Sequence, residues 1–369
     1  INFKFRLNIL AWEKASKISR YLIERNLSKH FLVNPTIIEF MKILRALSIF
    51  FLILGAVYLV GPKVEKPVFE DLKIEVPSDL LTLDNWVNTR ELAIGNVRLD
   101  NASKIIFNDS IPTKTKYSVI YLHGFTASGI EGEPVHRNIA EALGANLYIP
   151  RLFGHGLEEE EEPMLNFNNE DFWQSGLEAL EVAKQLGEKV IVLGTSHGGA
   201  LSLALAEDQA IAALVLYGPN IEVFDPKAKL LSKPWGLQIA RLVKGGKYHY
   251  MWKPSEEKQS YWTAKTRLEA TTHMQKFLDV KMRPAIFKKV KAPVFLAYYY
   301  KNDSLQDQVV SVPAMLKMFD QLGTPEALKS KQAFPEAGDH VLTSYITTDN
   351  YDEVTAATLD FLSNVVLKK

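Results

Sequence analysis

Residues 189–199 read Lys-Val-Ile-Val-Leu-Gly-Thr-Ser-His-Gly-Gly, and within them Gly194–Gly198 forms the pattern Gly-x-Ser-x-Gly. Val190 to Leu193 carry no charge and suit a strand buried on both faces. Ala200 to Ala206 then has helix-forming composition with little β-branching. Strand, tight turn and helix together place Ser196 on a sharp elbow with its hydroxyl exposed. The flanking glycines fit because a side chain would clash in so tight a bend. That context, more than the five-residue pattern, makes Ser196 a candidate nucleophile.

A chain of 369 residues holds one large α/β domain with additions, or two smaller domains. Lys plus Arg equals Asp plus Glu at 43 each, so net charge gives no reason to expect a nucleic-acid partner. The absence of cysteine excludes disulfides, thiolate metal sites, a Cys nucleophile and lipidation on Cys. No Gly-x-Gly-x-x-Gly or Gly-Lys-Ser/Thr loop appears, so no cofactor is expected.

From Ala46 to Gly61 no residue is charged, and Met41-Lys42 and Arg45 precede the run. Counting Ile43 and Leu44 brings it near the ~20 residues a spanning helix needs. No small-x-small cleavage site follows, because Tyr58 and Val60 crowd its end. Residues 41–61 are therefore expected to be an uncleaved signal anchor that contacts the membrane. The catalytic domain would then lie outside the cytoplasm (in the periplasm of a bacterium), or be exported if the segment is cleaved. Residues 1–40 read as a basic extension upstream of a start at Met41, since Ile1 opens the chain. Residues 62–94, with Pro62, Pro67 and Pro77, read as an extended linker.

From about residue 95 strand-like and helix-like segments alternate, as in a parallel α/β sheet. Strands are expected at Val119–Leu122, Asn146–Ile149, Ile211–Tyr217 and Pro293–Tyr300. Helices are expected at Pro134–Leu143, from Asn168 through Leu186, at Val310–Leu322 and at Asp352–Leu367. The alternation fails at 221–288, where Trp235, His249, Tyr250, Trp252, Tyr261, Trp262 and His273 mix with many lysines. Such an insertion suits a helical cap over a pocket, or equally a peripheral subdomain with its own core. Residues 95–220 and 289–369 then form the main domain. Glu158 to Glu162 reads as a solvated loop.

A serine hydroxyl is a weak nucleophile at neutral pH and needs a base, which needs an orienting acid. Beyond the insertion the one histidine is His340, in a glycine-containing loop after strand-like Gln332–Phe334. Two acids follow the strand ending near Tyr300: Asp303, closer to its end, and Asp307, followed by Gln-Val-Val and a helix. Asp307 also suits an ordinary helix-start acid and Asp303 a turn residue. Acyl transfer needs two backbone N–H donors for the oxyanion. The expected donors are His197 and Phe125, the latter in the loop after His123-Gly124. His123, His197 and His155 read as loop-shaping side chains; their spacing is poor for a metal, and no metal is expected.

Five segments carry a resemblance: Tyr121–Phe125, Pro150–Gly156, Gly194–Gly199, Asp307–Val310 and Ala337–His340. In this order, over residues 115–365, the chain resembles the α/β-hydrolase fold near its esterase and monoacylglycerol-lipase-like branch. The resemblance implies a mostly parallel central sheet flanked by helices, with a cap insertion. It favours Asp307 over Asp303 as the acid, because the family's acid usually precedes an x-Val-Val segment. The chain departs from the family in a longer, glycine-free stretch between Tyr300 and Asp307.

The expected activity is hydrolysis of a carboxylic ester, of lipid-like type given cap and anchor, through an acyl-enzyme on Ser196. The rivals are a peptidase or amidase on the same scaffold, and a catalytically silent binding protein. Dehalogenase and epoxide hydrolase chemistry is disfavoured, because those relatives carry Asp in place of Ser196.

Overall fold

The computed structural model describes residues 12–25, 35–158, 161–251 and 253–368. Trp252, half of the basic extension (residues 1–11 and 26–34) and Glu159–Glu160 lie outside these residues. The chain divides into two compact units, residues 1–61 and Pro62–Lys369.

In the first unit residues 12–25 form helix α1 and Pro35–Leu59 form α2. Thr36–Leu59 contains an 18-residue stretch with a mean hydropathy of 2.1 and is long and apolar enough to cross a membrane. The helix begins ahead of Met41, so the boundary expected there falls inside a continuous element.

The second unit corrects the expected linker. Residues 62–79 have no regular structure, but Leu80–Ile94 is a helix, α3. Asp79 caps it by accepting from the Thr82 N–H at 2.9 Å, and Gly95 closes it in the left-handed region at φ 81°. Leu83 and Val87, one turn apart, are buried in the main core, so this segment belongs to the fold.

The elements then run β1 (Lys104–Ile106), β2 (Thr115–Leu122), α4 (Val135–Ala142), β3 (Asn146–Ile149), α5 (Asn169–Leu186), β4 (Gly187–Thr195), α6 (His197–Leu205) and β5 (Ile211–Tyr217). After these come α7 (Gly236–Lys244), β6 (Tyr248–Tyr250), α8 (Glu256–Tyr261), β7 (Lys265–Arg267), α9 (Leu268–Lys281) and α10 (Pro284–Phe287). The chain ends with β8 (Val294–Tyr298), β9 (Tyr300–Asn302), β10 (Leu305–Gln306), α11 (Val312–Asp320), β11 (Lys329–Ala333) and α12 (Tyr351–Phe361).

Seven strands form one sheet in the order β1-β3-β2-β4-β5-β8-β11, parallel except for β1, which runs antiparallel to β3. Alternation along β4 assigns its side chains to two layers. Val190 and Val192 pack with Leu201 of α6 and Ala183 of α5. Ile191 and Leu193 pack with Ile139 of α4 and Phe361 of α12. A central strand covered on both faces is why Val190–Leu193 is uniformly apolar.

Residues 221–288 carry helices α7, α8 and α9, as expected of a helical cap, and more besides. They include an antiparallel ribbon of β6 and β7, and α9 sends Phe277 and Leu278 into the main core. Of the acidic run, Glu158 and Glu161 are exposed as expected of a solvated loop, while Glu162 is ion-paired with Arg267, whose side chain is buried.

Candidate active site

The sheet's carboxyl edge collects the candidate residues. Ser196 follows the last residue of β4 and has φ 53° and ψ −117°, a strained conformation for a residue with a Cβ. Its backbone is tied on both sides: Ser196 N–H donates to the Tyr217 carbonyl at 3.0 Å, and its carbonyl accepts from Asn220 N–H at 2.8 Å. A Cβ on Gly194 would lie 2.3 Å from Ser202 Oγ, so this motif glycine answers to packing against α6.

His340 sits in the loop after β11 with its Nδ1 2.5 Å from Asp307 Oδ2. The other oxygen of Asp307 accepts from the Val309 and Val310 N–H groups at 2.8 and 2.9 Å, which fixes the carboxylate's rotation. Asp303 is elsewhere: it lies at the turn of the β9–β10 hairpin, exposed, and accepts from the Tyr300 hydroxyl at 2.8 Å. Of the two acids weighed from sequence, Asp307 is the one in contact with His340.

Burial disfavours the imidazolium of His340, but Asp307, by charge and hydrogen bond, outweighs it with help from Asp339 and Glu131, and the pKa is raised. His340 Nε2 is buried with no hydrogen-bond partner, so Ser196 Oγ does not bond to it in this conformation. Both residues line one cavity of about 1050 Å³. Catalytic hydrogen bonds are often loose until substrate is bound.

Phe125 lines the same cavity, and His197 is the first residue of α6. Neither N–H donates a hydrogen bond among the described residues. The His197 ring is fully buried, stacked on Phe172 at a centroid distance of 4.8 Å, and burial lowers its pKa to about 3. His123 Nδ1 lies 3.0 Å from the Gly124 carbonyl, and its Nε2 accepts from Leu152 N–H at 3.1 Å. Burial likewise holds His123 and His155 neutral, the latter with a pKa near 4. These rings brace loops.

Sequence reasoning missed Glu131, in a turn of 3-10 helix at Gly129–Gly132. Its side chain is 2% exposed, lines the cavity and accepts from Gly124 N–H at 2.6 Å. The available signal was slight: one acid between glycines, shortly after His123-Gly124.

With this geometry, the family model described as alpha/beta hydrolase family matches residues 119–357, and the chain belongs to that family. Among solved structures, one of the metagenome-derived lipolytic enzymes LipS and LipT aligns with a TM-score of 0.58 at 18% identity, covering 72% of this chain and 99% of the other. A soluble variant of monoglyceride lipase from Saccharomyces cerevisiae aligns at 0.53 and 15%, covering 71% and 91%. A monoacylglycerol lipase from Paleococcus ferrophilus aligns at 0.51 and 14%, covering 72% and 100%. At these identities the likeness is one of fold. No curated protein sequence matches the chain.

Proposed function

We propose that this chain is a serine hydrolase that cleaves carboxylic esters, as a carboxylesterase or monoacylglycerol-lipase-like enzyme, with Ser196, His340 and Asp307 as its triad. The observation that carries the reading is the 2.5 Å contact of His340 Nδ1 with Asp307, which leaves Nε2 unpartnered in the cavity that Ser196 also lines. Asp307 holds the ring as the tautomer with its proton on Nδ1, so that Nε2 carries the free lone pair.

In this mechanism Ser196 Oγ attacks the ester carbonyl carbon while Nε2 takes the hydroxyl proton. The carbonyl π pair moves onto oxygen, where the Phe125 and His197 N–H groups receive the negative charge. The tetrahedral intermediate collapses by breaking the bond to the alcohol oxygen, which takes the proton from Nε2. Water, deprotonated by the same nitrogen, then attacks the acyl carbon; the bond to Ser196 Oγ breaks, Oγ takes back the proton from Nε2, and the carboxylic acid leaves.

An ester with an apolar acyl chain suits walls formed by Leu231, Ile239, Met251, Trp262 and Leu268. The helix α2 supports membrane attachment, with the catalytic unit on the extracytoplasmic side. A fluorophosphonate probe should label Ser196 in the wild type and leave Ser196→Ala unlabelled. Labelling that persists in the variant rejects the assignment. Comparison of p-nitrophenyl esters with peptide amides separates the esterase from an amidase on the same scaffold. Protease protection in intact cells tests the sidedness.

A further inference from the structure

Glu131 is a buried carboxyl that the triad mechanism does not use, yet it reaches all three loops of the site. Its Oε2 accepts from the Gly124 N–H, one residue before the oxyanion donor Phe125. The same oxygen accepts from the Tyr121 hydroxyl at 3.1 Å. Tyr121 Oη is in turn 2.8 Å from Thr195 Oγ1, beside the nucleophile, and 3.3 Å from Thr343 Oγ1, on the His340 loop. The Thr343 hydroxyl donates to the Glu131 carbonyl at 2.7 Å. Oε1 is aimed toward the reaction centre: a Cβ built on Gly124 would stand 2.8 Å from it and 3.1 Å from Ser196 Cβ.

We propose that Glu131 is a positioning residue of the reaction, which fixes the Gly124–Phe125 peptide as an oxyanion donor and adds a negative charge, beside those of Asp307 and Asp339, acting on His340. The first role follows from the bond to Gly124: with that N–H held, the next peptide cannot rotate freely, and the Phe125 N–H stays aimed into the cavity. The second follows from charge. His340 becomes an imidazolium as the tetrahedral intermediate forms, and an anion nearby favours that state.

Other ionisable groups around the pair are accounted for. Lys258 of α8 lines the cavity and favours the Glu131 anion, as does the Tyr121 hydroxyl. His136 packs edge-on to Tyr121 and is held neutral by burial. Asp307 and Asp339 act with Glu131 on His340. Burial pushes the Glu131 carboxyl up to about 7, against the Gly124 bond and the His340 charge.

The proposal rests on the serine hydrolase reading, and the test separates the two. The rate constant for fluorophosphonate labelling of Ser196 is measured against pH in the full chain. Wild-type protein that is unlabelled at Ser196 rejects the hydrolase reading itself. Glu131→Gln keeps an oxygen that accepts from both Gly124 and Tyr121 but removes the charge. It should keep the plateau rate within about threefold and move the acid limb to lower pH, because His340 loses a charge that raises its pKa. Glu131→Leu removes the acceptor and should lower the plateau by about tenfold or more, part of the ~10²–10³-fold cost of a missing oxyanion donor. An unmoved acid limb in Glu131→Gln overturns the electrostatic role. A plateau in Glu131→Leu equal to wild type, or one in Glu131→Gln as low as that of Glu131→Leu, overturns the acceptor role. Should Glu131→Leu fail to fold, Glu131→Met, which also removes the acceptor, takes its place in the plateau comparison.

Discussion

Gly198, in the first turn of α6, packs so closely on the end of β2 that a Cβ there would lie 1.9 Å from the Leu122 carbonyl oxygen and 2.5 Å from its carbon. Both are backbone atoms of a central strand and have no rotamer with which to yield. The second glycine of the elbow is thus set by helix-to-sheet distance, the same approach that brings Ser196 beside the His123–Phe125 loop.

Gly198→Ala should therefore be strongly destabilising, by about 1–3 kcal/mol or more, as overpacking at a site without slack is. Urea denaturation compared with wild type checks this. A variant of unchanged midpoint would mean that α6 shifts outward at little cost.

Asp307→Asn should leave the fold intact and lower kcat on an activated ester by about 10³- to 10⁴-fold, because the amide no longer fixes the productive histidine tautomer. Asp303→Asn, which loses only a contact with the Tyr300 hydroxyl, should stay within about twofold of wild type. Equal losses in both variants would count against Asp307 as the orienting acid.

The raised pKa of His340 fixes the sign of two pH dependences. As the proposed base, His340 would work only when neutral, so kcat/KM should fall as pH drops through a value above the ordinary 6.5 of histidine. Stability moves the other way. A group whose folded pKa is raised contributes stability that is fully present below its unfolded pKa and is lost as pH rises through the folded one. Asp307→Asn should remove much of that contribution, which thermal melts at pH 5 and 9 would read as a smaller difference.

A chain beginning at Gly95 lacks Leu83, Val87 and the Glu91 carboxylate, which accepts from Arg151 Nε at 2.7 Å in a largely buried pair. Leaving Arg151 unpartnered costs more than the pair itself contributes. Such a chain should be insoluble or melt well below one beginning at Lys63; equal melting temperatures would make α3 dispensable.

Much of this architecture was legible in the sequence because its signals are local. The β4–elbow–α6 unit shows as an apolar run, a glycine-flanked serine and an alanine-leucine stretch. The α5 start shows in Asn168, which accepts from Asp171 N–H at 2.8 Å. The α3 helix was equally signalled, by Asp79 as N-cap, a Leu83–Val87 stripe and Gly95, but the prolines before it drew the reading toward a linker. The choice between Asp303 and Asp307 could not be local. It depends on a hairpin whose pairing of Tyr300–Asn302 with Leu305–Gln306 turns Asp303 outward and brings Asp307 back to the sheet edge. Glu131 had only a slight local signal, since its burial comes from Gly124, Tyr121 and Thr343, which lie on other elements.

That hairpin leaves the sheet at Tyr299 and returns at Asp307, whose N–H donates to the Tyr299 carbonyl at 3.2 Å. The excursion is closed at its base, while Ser304 at its tip and Leu305 and Gln306 on its returning strand help wall the cavity. Its length and tip are therefore decoupled from the acid it precedes. On the proposed hydrolase reading, descendants of this sequence are free to lengthen, trim or recompose the tip, trading one set of substrates for another, without disturbing the Asp307–His340 contact.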